Sequence, residues 1–503
     1  MKNITRLSIL LITITFIFSN CSDEGELKWG AQHDSNSSFD PSLGSFSGEF
    51  TGDPSGEGYN EIEENPWVNV NEEPISTFSI DADGGSYANV RRFLDNNQLP
   101  PKDAIRTEEI INFFQFDYPE PQGNHPIALD GEIADCPWTK GNKLLRIGLK
   151  GKHIARQDLP LANFVFLIDV SGSMGAENKL PLLKESFILF AENMKPDDRI
   201  AIITYAGNAG VLLESTLGRF KNSIISAIES LGAGGSTNGA DGIHTAYDIA
   251  EANFIAGGNN RVILGTDGDF NVGVSSQDGL IELIEEKRES GVFLSVLGVG
   301  TGNFQDGKME QLANNGNGTY EYIDDLDQAR KVFVEEMGKF YAVAKDVKIQ
   351  IEFNPNVVQQ YRLIGYENRL LEEEDFEDDT KDAGEIGADQ AVTALYELVM
   401  RPSGTLSGAA LTIDFRYKLP DQGVSRPLQL EVNDELTFFE NASENTRFAA
   451  AAAAYGLQLR DSEYKGDATW ADILQWASDA QQFDPNGYRS EFLDLIQKAE
   501  DLQ

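Results

Sequence analysis

Asp169, Ser171 and Ser173 stand at alternate positions, with Gly172 between the two hydroxyls to let the chain turn. They close an unbroken apolar run, residues 164–168, Phe-Val-Phe-Leu-Ile. A run so short and so rich in Val, Ile and Phe predicts a strand buried on both faces, at the centre of a parallel sheet. Ligands of open α/β sheets bind where such strands end at their carboxyl side. Three oxygen-bearing side chains fanned out there make half of a hard-cation site; Mg²⁺ takes oxygen ligands in an octahedron at about 2.0–2.1 Å and keeps several of its waters. Two later stretches offer further donors. Residues 234–238, Gly-Gly-Ser-Thr-Asn, read as a flexible loop ahead of a helix and offer the Thr237 hydroxyl. Residues 262–268 read as a second strand that ends on a carboxylate, at Thr266, Asp267 and Gly268.

The elements that must position these groups alternate between strand and helix from Asn163 onward. A helix over about 179–194 places Leu180, Leu183, Phe187, Phe190 and Met194 on one face, and Pro196 stops it. Strands follow at 199–205 and, as an edge, 211–214; helices at about 219–231 and 239–254; then the strand ending at Asp267. Helix 277–290, strand 292–299, helix 306–315, strand 319–323 and helix 325–340 complete the series. Such alternation predicts a doubly wound, mostly parallel α/β sheet over about 160–341.

Asp-x-Ser-x-Ser, a loop threonine and Thr-Asp-Gly, in this order, resemble the metal-ion-dependent adhesion site of von Willebrand factor type A (VWA) domains. The resemblance implies a Rossmann-like fold and one Mg²⁺ (or Mn²⁺) held by Asp169, Ser171, Ser173, Thr237 and Asp267. The serines would touch the ion directly and the aspartates act partly through water, leaving an open position for a carboxylate of a partner. The likeness extends to about residues 65–500: residues 78–81, 100–103, 259–273 and 346–369 resemble one bacterial family of VWA proteins. In that family a VWA-associated N-terminal region and a C-terminal region of unassigned function flank the A domain, and the resemblance implies no established activity.

The flanks read differently from the centre. Residues 74–80 form a strand that runs into a turn, and 86–97 and 103–115 have helical spacing, separated by Pro100 and Pro101. Residues 126–150 have strand character; residues 347–353, 391–400 and 408–418 alternate like half-buried antiparallel strands; residues 371–386 are an acidic, solvated loop; and the chain is helical from Asn441 to its end. Neither set of strands is large enough to cover its own apolar face and edges. The two are therefore expected to pair into one β-sandwich, with the VWA domain inserted through connections near Leu161 and Lys345. Integrin β chains use a similar insertion, in which a helix of the A domain transmits metal-site occupancy to the sandwich. Here helix 325–340 leads straight into strand 346–353 and is expected to do the same.

The expected organisation is a signal peptide at 1–20, a flexible acidic tether at 21–60, the N-terminal region at 61–158, the VWA domain at 160–341, a β-rich region at 345–440 and a helical segment at 441–503. Lys2 and Arg6 precede an apolar stretch, residues 7–18, too short to span a bilayer comfortably. It ends at Cys21, which resembles the lipidated first residue of a bacterial lipoprotein; Asp23 and Glu24 resemble acidic signals that send some lipoproteins to the cell surface. An outer-membrane lipoprotein, facing the periplasm or the outside, is expected. Cys136 then has no partner and reads as a small buried residue.

A formal charge of −42 over 503 residues repels nucleic acid. Four histidines and two cysteines are too few for a zinc cluster or a disulfide framework. Three classes of function are open to such a chain. The first is a non-enzymatic binding protein that captures a partner's Asp or Glu through Mg²⁺. The second, a metal-dependent envelope hydrolase, is poorly served by two carboxylates and three hydroxyls, and no Gly-x-Ser-x-Gly elbow occurs; His244 lies about two helical turns beyond Thr237. The third, a scaffold subunit of a multiprotein complex, would serve an ATPase, yet the chain carries no phosphate-binding Gly-x-x-x-x-Gly-Lys-Ser/Thr.

Overall fold

The strand Ala162–Asp169 is buried at every residue and lies third from one edge of a six-stranded sheet. The order is Tyr320–Ile323, Phe293–Val299, Asn259–Thr266, Ala162–Asp169, Arg199–Ala206 and Asn208–Leu217, all parallel except the last. Full burial on both faces is what selected the aromatic and β-branched run at its centre. On one face the helix Leu180–Glu192 stacks Phe187 on Phe166, centroids 4.2 Å apart, and sets Phe190 edge-on to Phe164 at 4.9 Å. Each such ring contributes roughly 1.5–3 kcal/mol by leaving water. On the other face Ile243, Ala246 and Tyr247 of the helix Ala240–Ala252 are fully buried.

The computed structural model describes residues 56–80, 83–206, 208–234, 240–268, 277–381, 383–402 and 408–503. Cys21, the signal segment, most of the expected tether and Thr237 lie outside the described residues. All the described residues belong to one compact unit, Gly48–Gln503.

The flanking strands form two further sheets. One runs Val68–Asn69, Val358–Ile364, Ala391–Met400, Lys143–Gly151, Ile127–Asp135; the other runs Leu370–Leu371, Ile75–Ser79, Ala342–Phe353, Leu411–Lys418, Arg426–Val432, with Gly384–Gly387 also pairing to Ala342–Phe353. Strands from before and after the VWA domain therefore bond to each other: Lys143–Gly151 pairs antiparallel with Ala391–Met400, Ile147 opposite Ala394, and Ile75–Ser79 pairs with Ala342–Phe353. The facing side chains, among them Phe78, Leu145, Ile147, Phe353, Tyr396 and Phe415, share one core. The chain leaves this sandwich after Gly151 and returns to it at Ala342. The VWA domain is thus an insertion, as the incomplete flanking strand sets require.

A helical layer covers the outer face of the first sheet. The helices Gly85–Asp95, Thr107–Asn112, Glu444–Leu459, Trp470–Ser478 and Tyr488–Leu502 bury Tyr87, Phe113, Phe114, Phe448 and Phe492 against Leu144, Ile364 and Leu395. Cys136 is buried there as well.

Two expectations are corrected. The single helix expected over 325–340 is instead a short α-helix, Leu326–Arg330, a π-helical turn, Lys331–Glu335, and a 3₁₀ turn, Met337–Phe340. Apolar spacing could not reveal this, because a buried ion pair sets the local path: Lys331 turns inward to Glu336 and lies over the rings of Phe113 and Tyr488, 4.6 and 5.4 Å from their centroids. Tyr488 donates a 2.8 Å hydrogen bond to Glu335. This segment is therefore packed against the helical layer as well as leading into the sandwich. The second correction concerns the tether, read as running to residue 60. Glu57 and Tyr59 are only 3 and 5% exposed. The Gly58 N–H donates to the Phe304 carbonyl at 2.8 Å, and Glu57 accepts from the Gly302 N–H at 2.9 Å and pairs with Arg92. The Gly and acidic composition of 56–58 conceals this, because the contacts there are backbone bonds and one ion pair.

Candidate functional site

The strand ends bring Asp169, Ser171, Ser173 and Asp267 together. Ala162–Asp169 and Asn259–Thr266 are neighbours in register, Ile168 opposite Gly265, so their last residues deliver Asp169 and Asp267 to the same rim of the sheet. After Asp169 the chain turns at once: the Ser171 N–H donates to Asp169 Oδ1 at 2.8 Å, and a 3₁₀ turn, Gly172–Gly175, follows. The Ser171 and Ser173 hydroxyls lie 2.9 Å apart, and Ser173 also reaches Asp267. Ser171 is buried and Ser173 exposed, so the donors run from the interior to the surface. The segment that enters the Thr237 loop is tied to the same rim, through the Gly234 N–H to the Val170 carbonyl at 2.7 Å.

Thr266, seen in sequence only as part of a motif, links the two carboxylate loops. Its hydroxyl donates to Asp169 Oδ2 at 3.3 Å and accepts from the Gly268 N–H at 3.1 Å. Gly268 has φ +91°, and a Cβ there would come within 2.5 Å of the Gln305 nitrogen. The glycine after Asp267 is thus required by the close approach of the 300–305 loop.

The two aspartates sit in different fields. Burial pushes the Asp169 carboxyl above the ordinary range, and the like charge of Asp267 adds to the push; the bonds from Ser171 oppose it. Among the described residues every donor to Asp169 is neutral: the N–H and hydroxyl of Ser171 and the hydroxyls of Thr266 and Tyr205. Burial acts in the same direction on Asp267, but the bonds from Lys179 and Asn303 and the Lys179 charge outweigh it and hold that carboxyl below its ordinary value. Lys179 Nζ lies 2.9 Å from Asp267 Oδ2 and 2.6 Å from Asn303 Oδ1. Sequence reading passed over Lys179 as the first residue of an amphipathic helix and Asn303 as a loop residue.

Chemically, the candidate ligands among the described residues are all oxygen: two carboxylates in mutual repulsion and two adjacent hydroxyls, with Lys179 on Asp267 and no positive group on Asp169. Such a set suits a hard cation and suits a thiolate-seeking or imidazole-seeking ion poorly. Among the described residues no cluster of three or more His, Cys, Asp or Glu side chains could hold a metal by itself; the hydroxyls are essential to this set. His244 is exposed on the helix Ala240–Ala252.

Comparison with known proteins identifies the domains. A family model described as "von Willebrand factor type A domain" matches residues 163–335. One described as "von Willebrand factor" matches 53–146, and one described as "Uncharacterized protein YfbK, C-terminal" matches 338–502. Fold and matches together define a VWA-domain protein. The "Uncharacterized protein YfbK" of Escherichia coli (strain K12) is 43% identical over 468 residues, 88% of this chain and 81% of that protein. The chain belongs to that family of bacterial VWA-containing proteins. It is also similar, at 28% identity over 43% of its own length and 26% of the other's, to inter-alpha-trypsin inhibitor heavy chain H3 of Pongo abelii. Among solved structures, von Willebrand factor type A from Catenulispora acidiphila aligns over 76% of this chain and 91% of that one, with 15% identity and a TM-score of 0.44.

Proposed function

We propose that this protein is a Mg²⁺-dependent binding protein of the cell envelope, which captures an Asp or Glu of a protein partner at the rim formed by Asp169, Ser171, Ser173, Thr237 and Asp267. The observation that carries the reading is Asp169: a fully buried carboxylate beside a second carboxylate, with only neutral donors among the described residues. A buried charge is retained when something pairs it or a metal ion takes it. Asp169 and Asp267 would supply the charge, the two serines and Thr237 the neutral oxygens, and Thr266 would keep the two carboxylate loops in register. A bound ion would supply a positive centre for the partner's carboxylate. Anchoring would come from acylation of Cys21, placing the protein on the outer membrane; no helix of the described residues is long and apolar enough to cross a membrane.

Isothermal calorimetry tests the site. Wild type should bind one Mg²⁺ or Mn²⁺, and Asp169→Ala should lose that binding while keeping its circular dichroism; equal affinity in the two proteins would refute the reading. A cross-linking pull-down from cell envelope, with Mg²⁺ against EDTA, should capture a partner only with the ion. Fatty-acid labelling that persists in Cys21→Ala would refute the anchor.

A further inference from the structure

Lys179 occupies a position that local chemistry disfavours. It is the N-cap of the helix Leu180–Glu192 and makes no side-chain capping bond there. N-caps favour Ser, Thr, Asp or Asn, and the positive end of the helix dipole disfavours a cation. The side chain is nevertheless drawn in, 8% exposed, with Nζ on Asp267 and Asn303. Its stem is bedded on Gly300, where φ is +80° and a Cβ would come within 2.4 Å of Lys179 Cγ. The partner loop is fixed in turn by the buried Glu57, bonded to the Gly302 N–H and to Arg92. A local rule broken within a supported arrangement marks a functional position.

We propose that Lys179 is a built-in counter-cation for Asp267, which keeps the affinity of the rim for a free divalent ion low, so that the ion is held firmly only together with a partner's carboxylate. The inference rests on the metal-site reading above. An ammonium on one of the two carboxylates removes one unit of negative charge from the rim and repels an incoming divalent ion; in a partly buried site such repulsion is only weakly screened. Asp169, which meets no such cation among the described residues, remains to attract it. The carboxylate of a partner restores the missing negative charge, so ion and partner should strengthen each other's binding reciprocally.

The test is calorimetry with Mg²⁺ alone, on the full chain, in wild type, Lys179→Gln, Lys179→Met and Lys179→Arg, each checked for native circular dichroism. Gln keeps a hydrogen-bonding group without the charge, Met keeps the stem alone, and Arg keeps the charge. The dissociation constant should fall at least ten-fold in Lys179→Gln and in Lys179→Met and stay near wild type in Lys179→Arg. Unchanged or weaker Mg²⁺ binding in Lys179→Gln, with binding intact in wild type, overturns the proposal and leaves the metal site standing. Absence of Mg²⁺ binding in wild type and Lys179→Gln alike removes the site and the proposal together.

Discussion

Asp306, in the VWA helix Asp306–Asn315, is met by the guanidinium of Arg106, which also pairs with Glu109 and lies 3.6 Å from Glu310. The Tyr320 hydroxyl adds a 2.8 Å bond to Asp306. Asp169, buried in the same domain, meets a backbone N–H and hydroxyls. The first cluster crosses from the VWA domain to the N-terminal flank and is closed by arginine; Arg91 repeats the pattern with Asp324 at 2.7 Å and Glu491 at 3.0 Å. The second faces the rim of the sheet, with its charge only partly balanced, by Lys179 on Asp267. The buried carboxylates between the VWA domain and its flanks come with arginines, whereas Asp169 at the rim meets only neutral donors among the described residues.

Substitutions on the two sides of this contrast should behave oppositely, and the largest effect is expected at the closed cluster. Arg106→Met removes the cation shared by Asp306, Glu109 and Glu310, so it should cost about 3–5 kcal/mol, the usual penalty for breaking a buried pair; urea unfolding measures it, and a loss below about 1 kcal/mol would erase the distinction.

Glu57→Gln should cost about 3 kcal/mol at neutral pH, since it leaves the largely buried Arg92 without its carboxylate. Burial pushes the Glu57 carboxyl up, but the bond from Arg92, its charge, the Gly302 N–H and Tyr59 together hold it below its ordinary value. A depressed carboxyl stabilises the fold above the ordinary carboxylate range, and that contribution is lost as pH falls through the folded value. The gap between wild type and Glu57→Gln should therefore be full at pH 7 and narrow on acidification; a gap constant with pH would exclude the ion pair as its source.

Thr266→Val, which removes the link between the two carboxylate loops, should cost about 1–1.5 kcal/mol by thermal unfolding in EDTA; an unchanged midpoint would show that the loops hold their register without it. Smallest, and opposite in sign, is Asp169→Asn: relieving a buried charge beside the like charge of Asp267 should slightly raise the unfolding midpoint of the metal-free protein. Destabilisation in EDTA by this change would place Asp169 with the architectural carboxylates.

The sequence made the alternating elements and the strand-end carboxylates legible for one reason. A central parallel strand is written as a short apolar run, and what interrupts it stands at the rim, as Asp169 and Asp267 do. The sandwich was legible by default, since strands 126–150 could not cover themselves. Lys179, Asn303 and Glu57 were not, because a charged residue at a helix start or in an acidic stretch, or an amide in a loop, reads as solvated until the group it meets is known. Residues 325–340 misled for a related reason: their apolar spacing is helical, while Lys331 and Glu336, paired inside, bend the path.

The insertion also bears on the order in which the molecule is made. Ala391 pairs with Lys150 across the whole VWA domain. Closing a flexible loop of about 240 residues costs roughly 5 kcal/mol by chain entropy, and about 1 kcal/mol less once the intervening domain is folded. Domains tend to fold as units as they emerge during synthesis. The VWA sheet has all its strands by Ile323, whereas the sandwich waits for Val432. The inserted domain thus acts as the hinge pin on which the earlier strands wait for their partners, and a lesion in its core would be felt first as failure of the sandwich to close.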